Sequence, residues 1–173
     1  MILCDRRMHG KGVLFTGMKK MDIIRTVGSC VRYSWVLPVS CIGIVLLPFV
    51  ILSGGAVGIA AGIIQAEGGI ASSLLSRLCP HAPIDAITIG HVIFGRNRGS
   101  LIRCRDHEHV HIRQYERWGP LFPVLYLLSS AVAVIRGEDP YRHNIFEQEA
   151  FSVAEMRAGD EGTHMTQRKG GCS

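Results

Sequence analysis

Apolar and polar positions divide this chain into blocks of different period. Between residues 33 and 66 no side chain is charged, and the most apolar part, over 35–52, contains Val45, Leu46, Leu47, Pro48, Phe49, Val50 and Ile51. About 20 helical residues cross a hydrocarbon core of about 30 Å. The block therefore predicts a transmembrane helix over 33–54, with Arg32, Tyr33 and Trp35 as interface anchors. Pro38 and Pro48 would kink it, which membrane helices tolerate. A signal peptide has a shorter apolar stretch, of about 7 to 15 residues. A buried core helix is the other alternative. Ser53-Gly54-Gly55 breaks the block.

The pattern then shortens. Val57-Gly58-Ile59 and Ile63-Ile64-Gln65-Ala66-Glu67 predict a β-hairpin, closed by Gly68-Gly69. Residues 86–95 predict a single strand, and Arg96-Asn97-Arg98-Gly99 turns the chain into a helix with Gly99-Ser100 at its N-cap and Gly119-Pro120 at its end. The elements together predict an α+β fold with a short β-sheet. Residues 118–135 form a second uncharged run, about 27 Å long as a helix and barely enough to span.

Charge and cysteines narrow the partners. The net charge is +5, and seven basic residues precede the first apolar block, with none after Arg32 until Arg77. They do not interleave with aromatics in a nucleic-acid pattern, so no nucleic acid is expected; they suit an anionic lipid surface. The asymmetry predicts a cytoplasmic N-terminus and residues 56–151 on the non-cytoplasmic side. Six cysteines, at 4, 30, 41, 79, 104 and 172, form no C-x-x-C pair, which argues against a cysteine zinc site. Residues 1–32 read as a basic tail, 55–151 as the domain and 152–173 as a disordered polar tail.

The candidate chemistry lies at residues 107–111, His-Glu-His-Val-His, an H-E-x-x-H motif within the predicted helix. Four residues of α-helix turn through about 400°, so His107 and His111 share a face and can bind one metal ion, while His109 points away. Glu108 sits where it can act as general base on a water at that metal. A zinc site needs a third protein ligand. Glu147 and Glu149, on a second predicted helix, are about 200° apart, so only one can face the metal.

Glu147-x-x-Ala150 resembles the E-x-x-A segment of gluzincins such as the HtpX-type membrane proteases, in which the first Glu binds zinc. The resemblance implies Glu147 as the third ligand, with Glu149 in reserve. A wider likeness runs over 31–152. Ile87-Thr88-Ile89-Gly90-His91-Val92-Ile93, the run from His107 to Phe122, and Tyr141-Arg142-x-Asn144-x-Phe146-Glu147-x-Glu149-Ala150 resemble a signature of small bacterial membrane-associated H-E-x-x-H proteins. This implies a minimal zincin-like domain behind an apolar segment, in a bacterial inner membrane.

The expected activity is zinc-assisted hydrolysis of an amide bond in a peptide or protein substrate. His107, His111 and Glu147 would hold Zn2+, Glu108 would move the proton, and Tyr115, Tyr141 or His143 would donate to the oxyanion. His91 reads as a structural histidine, Gln114 as a helix anchor, and Asp106 as a helix-start charge or a partner of an imidazole. A crossing by residues 118–135 would separate His107 from Glu147, so 120–135 is expected to pack on the domain or lie in the interface. The alternative function is a non-catalytic, membrane-anchored metal-binding or scaffold protein.

Overall fold

The computed structural model describes residues 20–60, 62–78 and 84–169. Helix α1 (Lys20–Leu52) is its spine, 33 residues and about 50 Å long. It starts inside the segment expected as a basic tail; residues 1–19 of that tail lie outside the described residues. Its covered positions recur in steps of three and four: Val36, Val39, Ser40, Gly43, Leu47 and Val50. Trp35, Leu37, Ile42, Val45 and Phe49 stay exposed. One face thus belongs to a protein core, while apolar side chains also crowd the outside. Gly43 permits the approach: a Cβ there would lie 2.9 Å from the Ile89 carbonyl oxygen and 3.0 Å from the Val92 side chain. Past Leu52, Gly54 takes a φ of 86° and the Gly55 N–H returns to the Val50 carbonyl at 2.8 Å.

Strands β1 (Ala56–Ala60) and β2 (Ile63–Glu67) form the expected antiparallel hairpin. The single strand expected over 86–95 is instead a second hairpin, β3 (Ala86–Ile89) and β4 (Val92–Gly95). Gly90, with a φ of 62°, makes the turn, and its missing Cβ leaves room for Ser40 of α1. The sheet order is β1-β2-β4-β3, with β2 and β4 parallel. Every residue of β4 is buried. Val92 and Phe94 pack with Val50, Ala66 and Ala71, while Ile93 packs with Ala86, Leu101 and Ile112. Alternate side chains therefore enter two cores: the C-terminal half of α1 with α2 (Gly69–Leu78) covers one face of the sheet and the two helices that follow β4 cover the other, while Val36 and Val39 of α1 reach past the sheet to a third core with Tyr115, Phe122 and Phe146. Helix α2 was not expected from the sequence; it buries Ala71 and Leu75.

Helix α3 (Arg98–Arg103) is capped by Asn97, whose Oδ1 accepts from the Ser100 N–H at 2.9 Å, so the cap falls two residues before the expected one. The backbone breaks at Cys104 and resumes as α4 (Arg105–Trp118). Gly119, with a φ of 55°, ends α4 where a Cβ would enter the Trp35 indole. After a 3-10 turn come α5 (Phe122–Ile135) and α6 (Ile145–Lys169). The fully buried Asn144 joins the last two: its amide donates to the Tyr126 carbonyl at 3.0 Å and the Ser130 hydroxyl at 2.8 Å, and its Oδ1 accepts from the Phe146 N–H at 3.0 Å. Residues 152–169, expected as tail, continue α6, which Arg157 ties to Asp106 of α4 at 2.7 Å.

Among the described residues, two stretches, Val31–Leu52 and Arg105–Ile135, are long and apolar enough to cross a membrane. In the second, the apolar part is α5, while α4 carries exposed Arg105, Arg113 and Arg117.

Candidate metal centre

Helix periodicity sets His107 and His111 one turn apart on α4, and the loop that Asn144 anchors delivers Glu147 on the first turn of α6. The three side chains converge. His107 Nε2 and His111 Nε2 are 3.1 Å apart, His107 Nε2 lies 3.0 Å from Glu147 Oε2, and His111 Nε2 lies 3.3 Å from Glu147 Oε1. Bonds of about 2.0–2.1 Å place ligand atoms about 3.3 Å apart around a tetrahedral ion and about 3.0 Å around an octahedral one. The observed spacings are those of a ligand set that could hold one metal ion. The donor chemistry fits as well: Glu147 Oε2 is buried and has no hydrogen-bond partner among the described residues.

The supporting contacts orient these ligands. Gln114 Nε2 donates to the Phe146 carbonyl at 3.0 Å and to Glu149 Oε2 at 2.9 Å. Both partners are acceptors, so the amide can face only one way, with Oε1 toward His111 Nδ1 at 2.8 Å. His111 then carries its proton on Nδ1 and presents a bare Nε2 lone pair to the ligand group. Tyr126 donates to Glu147 Oε1 at 2.7 Å. Glu108 is buried, and the Thr88 hydroxyl of β3 donates to its Oε2 at 2.7 Å.

The electrostatics separate the two carboxylates. Burial pushes the Glu108 carboxyl above its ordinary range, partly offset by His111 and the Thr88 bond. Burial would raise Glu147 too, but the His107 and His111 imidazoles beside it outweigh that and hold Glu147 down at about 2. His111 is lowered by burial, yet Glu147 and Glu108 together draw it above its usual value.

A cavity of about 470 Å³ opens beside the ligand group, lined among others by Ile87, Thr88, Tyr115, Phe122, Leu127 and Tyr141. Of the three expected oxyanion donors, Tyr141 lines this cavity, His143 is exposed outside it, and the Tyr115 hydroxyl is engaged by the Gly90 backbone. His109 lies off the ligand face. Glu149 bonds Gln114 and stands outside the ligand group. Asp106 pairs with Arg157, not with an imidazole. His91 is structural in its contacts, its Nδ1 3.0 Å from Ser40 Oγ. Thr88 and Tyr126 were not expected. Their roles depend on packing across 20 and 21 residues of sequence, which no local spacing announces. No family model, curated protein or solved structure matches the chain.

Proposed function

We propose that this chain is a membrane-anchored zinc metallopeptidase with a zincin-like domain. The observation that carries the reading is the convergence of His107, His111 and Glu147 beside a cavity that also holds Glu108. Three protein ligands next to open space suit a catalytic ion; a structural zinc site is closed by four. Two imidazoles and a carboxylate on a tetrahedral ion suit zinc. When bound, zinc supplies Lewis acidity to a substrate carbonyl and to water.

The chain's own residues do the rest. Glu108, outside the ligand group, takes a proton from the attacking water as the water oxygen bonds to the carbonyl carbon. It returns that proton to the nitrogen as the C–N bond breaks, leaving a carboxylic acid and an amine. Thr88 keeps the carboxylate aimed into the cavity, and its raised proton affinity suits a base. Tyr126 and Gln114 hold Glu147 and His111 in place. Tyr141 is the donor to the oxyanion.

The test is metal analysis of the full chain purified in mild detergent, with cleavage of a diverse peptide library. About one zinc per chain is expected. Glu108→Gln should keep the metal and lose cleavage by at least about 10²-fold. Undiminished cleavage by a zinc-loaded Glu108→Gln protein would remove Glu108 from this role. Iron in place of zinc would point to the oxygen chemistry that a two-His, one-carboxylate set also serves. A zinc-loaded wild type that cleaves nothing would favour a metal-handling role without turnover.

A further inference from the structure

The apolar helices and the cavity are parts of one structure. Val36 and Val39 of α1 share a core cluster with Tyr115, Phe122 and Phe146, and Leu125 and Tyr126 pack against it. Tyr115, Phe122 and Tyr126 also line the cavity. Val36 and Val39 lie about 8 and 12 Å along the apolar window that begins at Val31. At the window's other end, Val50 packs on β2, β4 and α2. The domain therefore flanks the window along its length. Were α1 upright in a bilayer, the β3–β4 hairpin, which meets α1 at Ser40 and Gly43 about 14 to 18 Å into the window, would be held at hydrocarbon depth together with His91 and its neighbour Glu116, which is strongly unfavourable.

The layers offer another placement. The apolar outer face of α1 lies on one side of the sheet and the charged outer face of α4 on the other. Helix α5 has no charged residue and exposes Val124, Leu127, Leu128, Val132 and Val134. Leu127 is 67% exposed there and also lines the cavity. The mouth of the cavity thus opens on an apolar helix face.

We infer that α1 lies along one leaflet, that the outer faces of α1 and α5 sit in the lipid, and that the cavity receives an apolar peptide segment held in that membrane. The substrate half of this inference rests on the peptidase reading. The lipid half does not. An occupant drawn from the leaflet enters past Leu127 without leaving an apolar environment, whereas a polar soluble chain must displace lipid to reach the same mouth.

The experiment reconstitutes the full chain in liposomes whose lipids carry bromine either near the headgroup or near the end of the acyl chain. Trp35 and Trp118 are the chain's two tryptophans. One single-tryptophan variant keeps Trp35 (Trp118→Phe). The other carries Ile42→Trp with both native indoles changed to Phe. Position 42 is exposed and near the middle of the window. If α1 lies along the leaflet, shallow bromine quenches both positions most. Quenching at position 42 mainly by deep bromine would mean a spanning helix and overturn the placement. Quenching of neither would mean that a second protein copy covers the face, with the same consequence.

Zinc-loaded protein in the same liposomes is then offered a bilayer-inserted apolar peptide and a soluble polar one. Cleavage of the first, reduced at least about 10²-fold by Glu108→Gln, is expected. Glu108-dependent cleavage of the soluble peptide alone would overturn the substrate class and leave the peptidase standing. Cleavage of neither would overturn both, while the quenching still decides the membrane face.

Discussion

At the residue scale the site is a set of three side chains that could hold a metal ion, with dedicated supports, and each layer has its own test. His107→Ala, His111→Ala and Glu147→Gln should each lose the bound metal, whereas His109→Ala and Glu149→Gln should keep most of it; metal-to-protein ratios after gel filtration measure this. Equal content across all five would dissolve the site. Gln114 touches no metal ligand but His111, so Gln114→Ala should lower metal affinity about 10- to 100-fold with the fold intact, measured by competition with a chelator. Acid should release the metal for a reason that can be signed. In the metal-free site, burial lowers His111, but Glu147 and Glu108 win and raise it. Protons therefore compete for Nε2 from above the ordinary imidazole range as pH falls, while Glu147, at about 2, stays ionised. Dialysis from about pH 8 to about pH 5 should strip most of the metal across the histidine range. Retention down to carboxylate pH would show that the imidazoles are not its ligands.

At the scale of elements, local patterns were legible and distant pairings were not. The H-E-x-x-H spacing put two imidazoles on one face, and the break after Leu52 and the end of α4 at Gly119 followed from glycines. Residues 86–95 misled because both strands of a buried hairpin are apolar, so one uninterrupted run conceals the turn. Gly90 was the signal, a glycine within such a run. Helix α2 went unread because Gly69 and the serines around Leu74 and Leu75 give a weak local preference that packing on Val50 and Ala66 overrides. Gly90→Ala should destabilise the chain by roughly 2–4 kcal/mol, combining an unfavourable φ with a collision at Ser40. Gly58→Ala, in β1 with open space around it, should cost about 1 kcal/mol or less. Thermal unfolding in detergent compares the two. Equal shifts would mean that α1 does not press on the hairpin as described.

At the scale of the whole molecule, α1 is long and apolar enough to cross a membrane and is also part of the core, which sequence alone could not separate, because an apolar helix has the same composition in either role. Val36 and Val39 supply one cluster and Val50 another, and Ser40 Oγ accepts the His91 backbone N–H at 3.1 Å. Burying a valine contributes about 1.5–3 kcal/mol, so losing three approaches the whole stability of a typical domain, about 5–15 kcal/mol. A chain starting at residue 54 should therefore do more than leave the membrane: it should lack cooperative unfolding and bind no zinc, although His107, Glu108, His111 and Glu147 are all present. Replacing residues 20–52 by an unrelated apolar helix of equal length should restore membrane association without restoring the metal site. Calorimetry and metal content of the two chains decide the matter. A metal-loaded, cooperatively folding fragment from residue 54 onward would make α1 a detachable segment, and the cavity would then owe nothing to its position beside that helix.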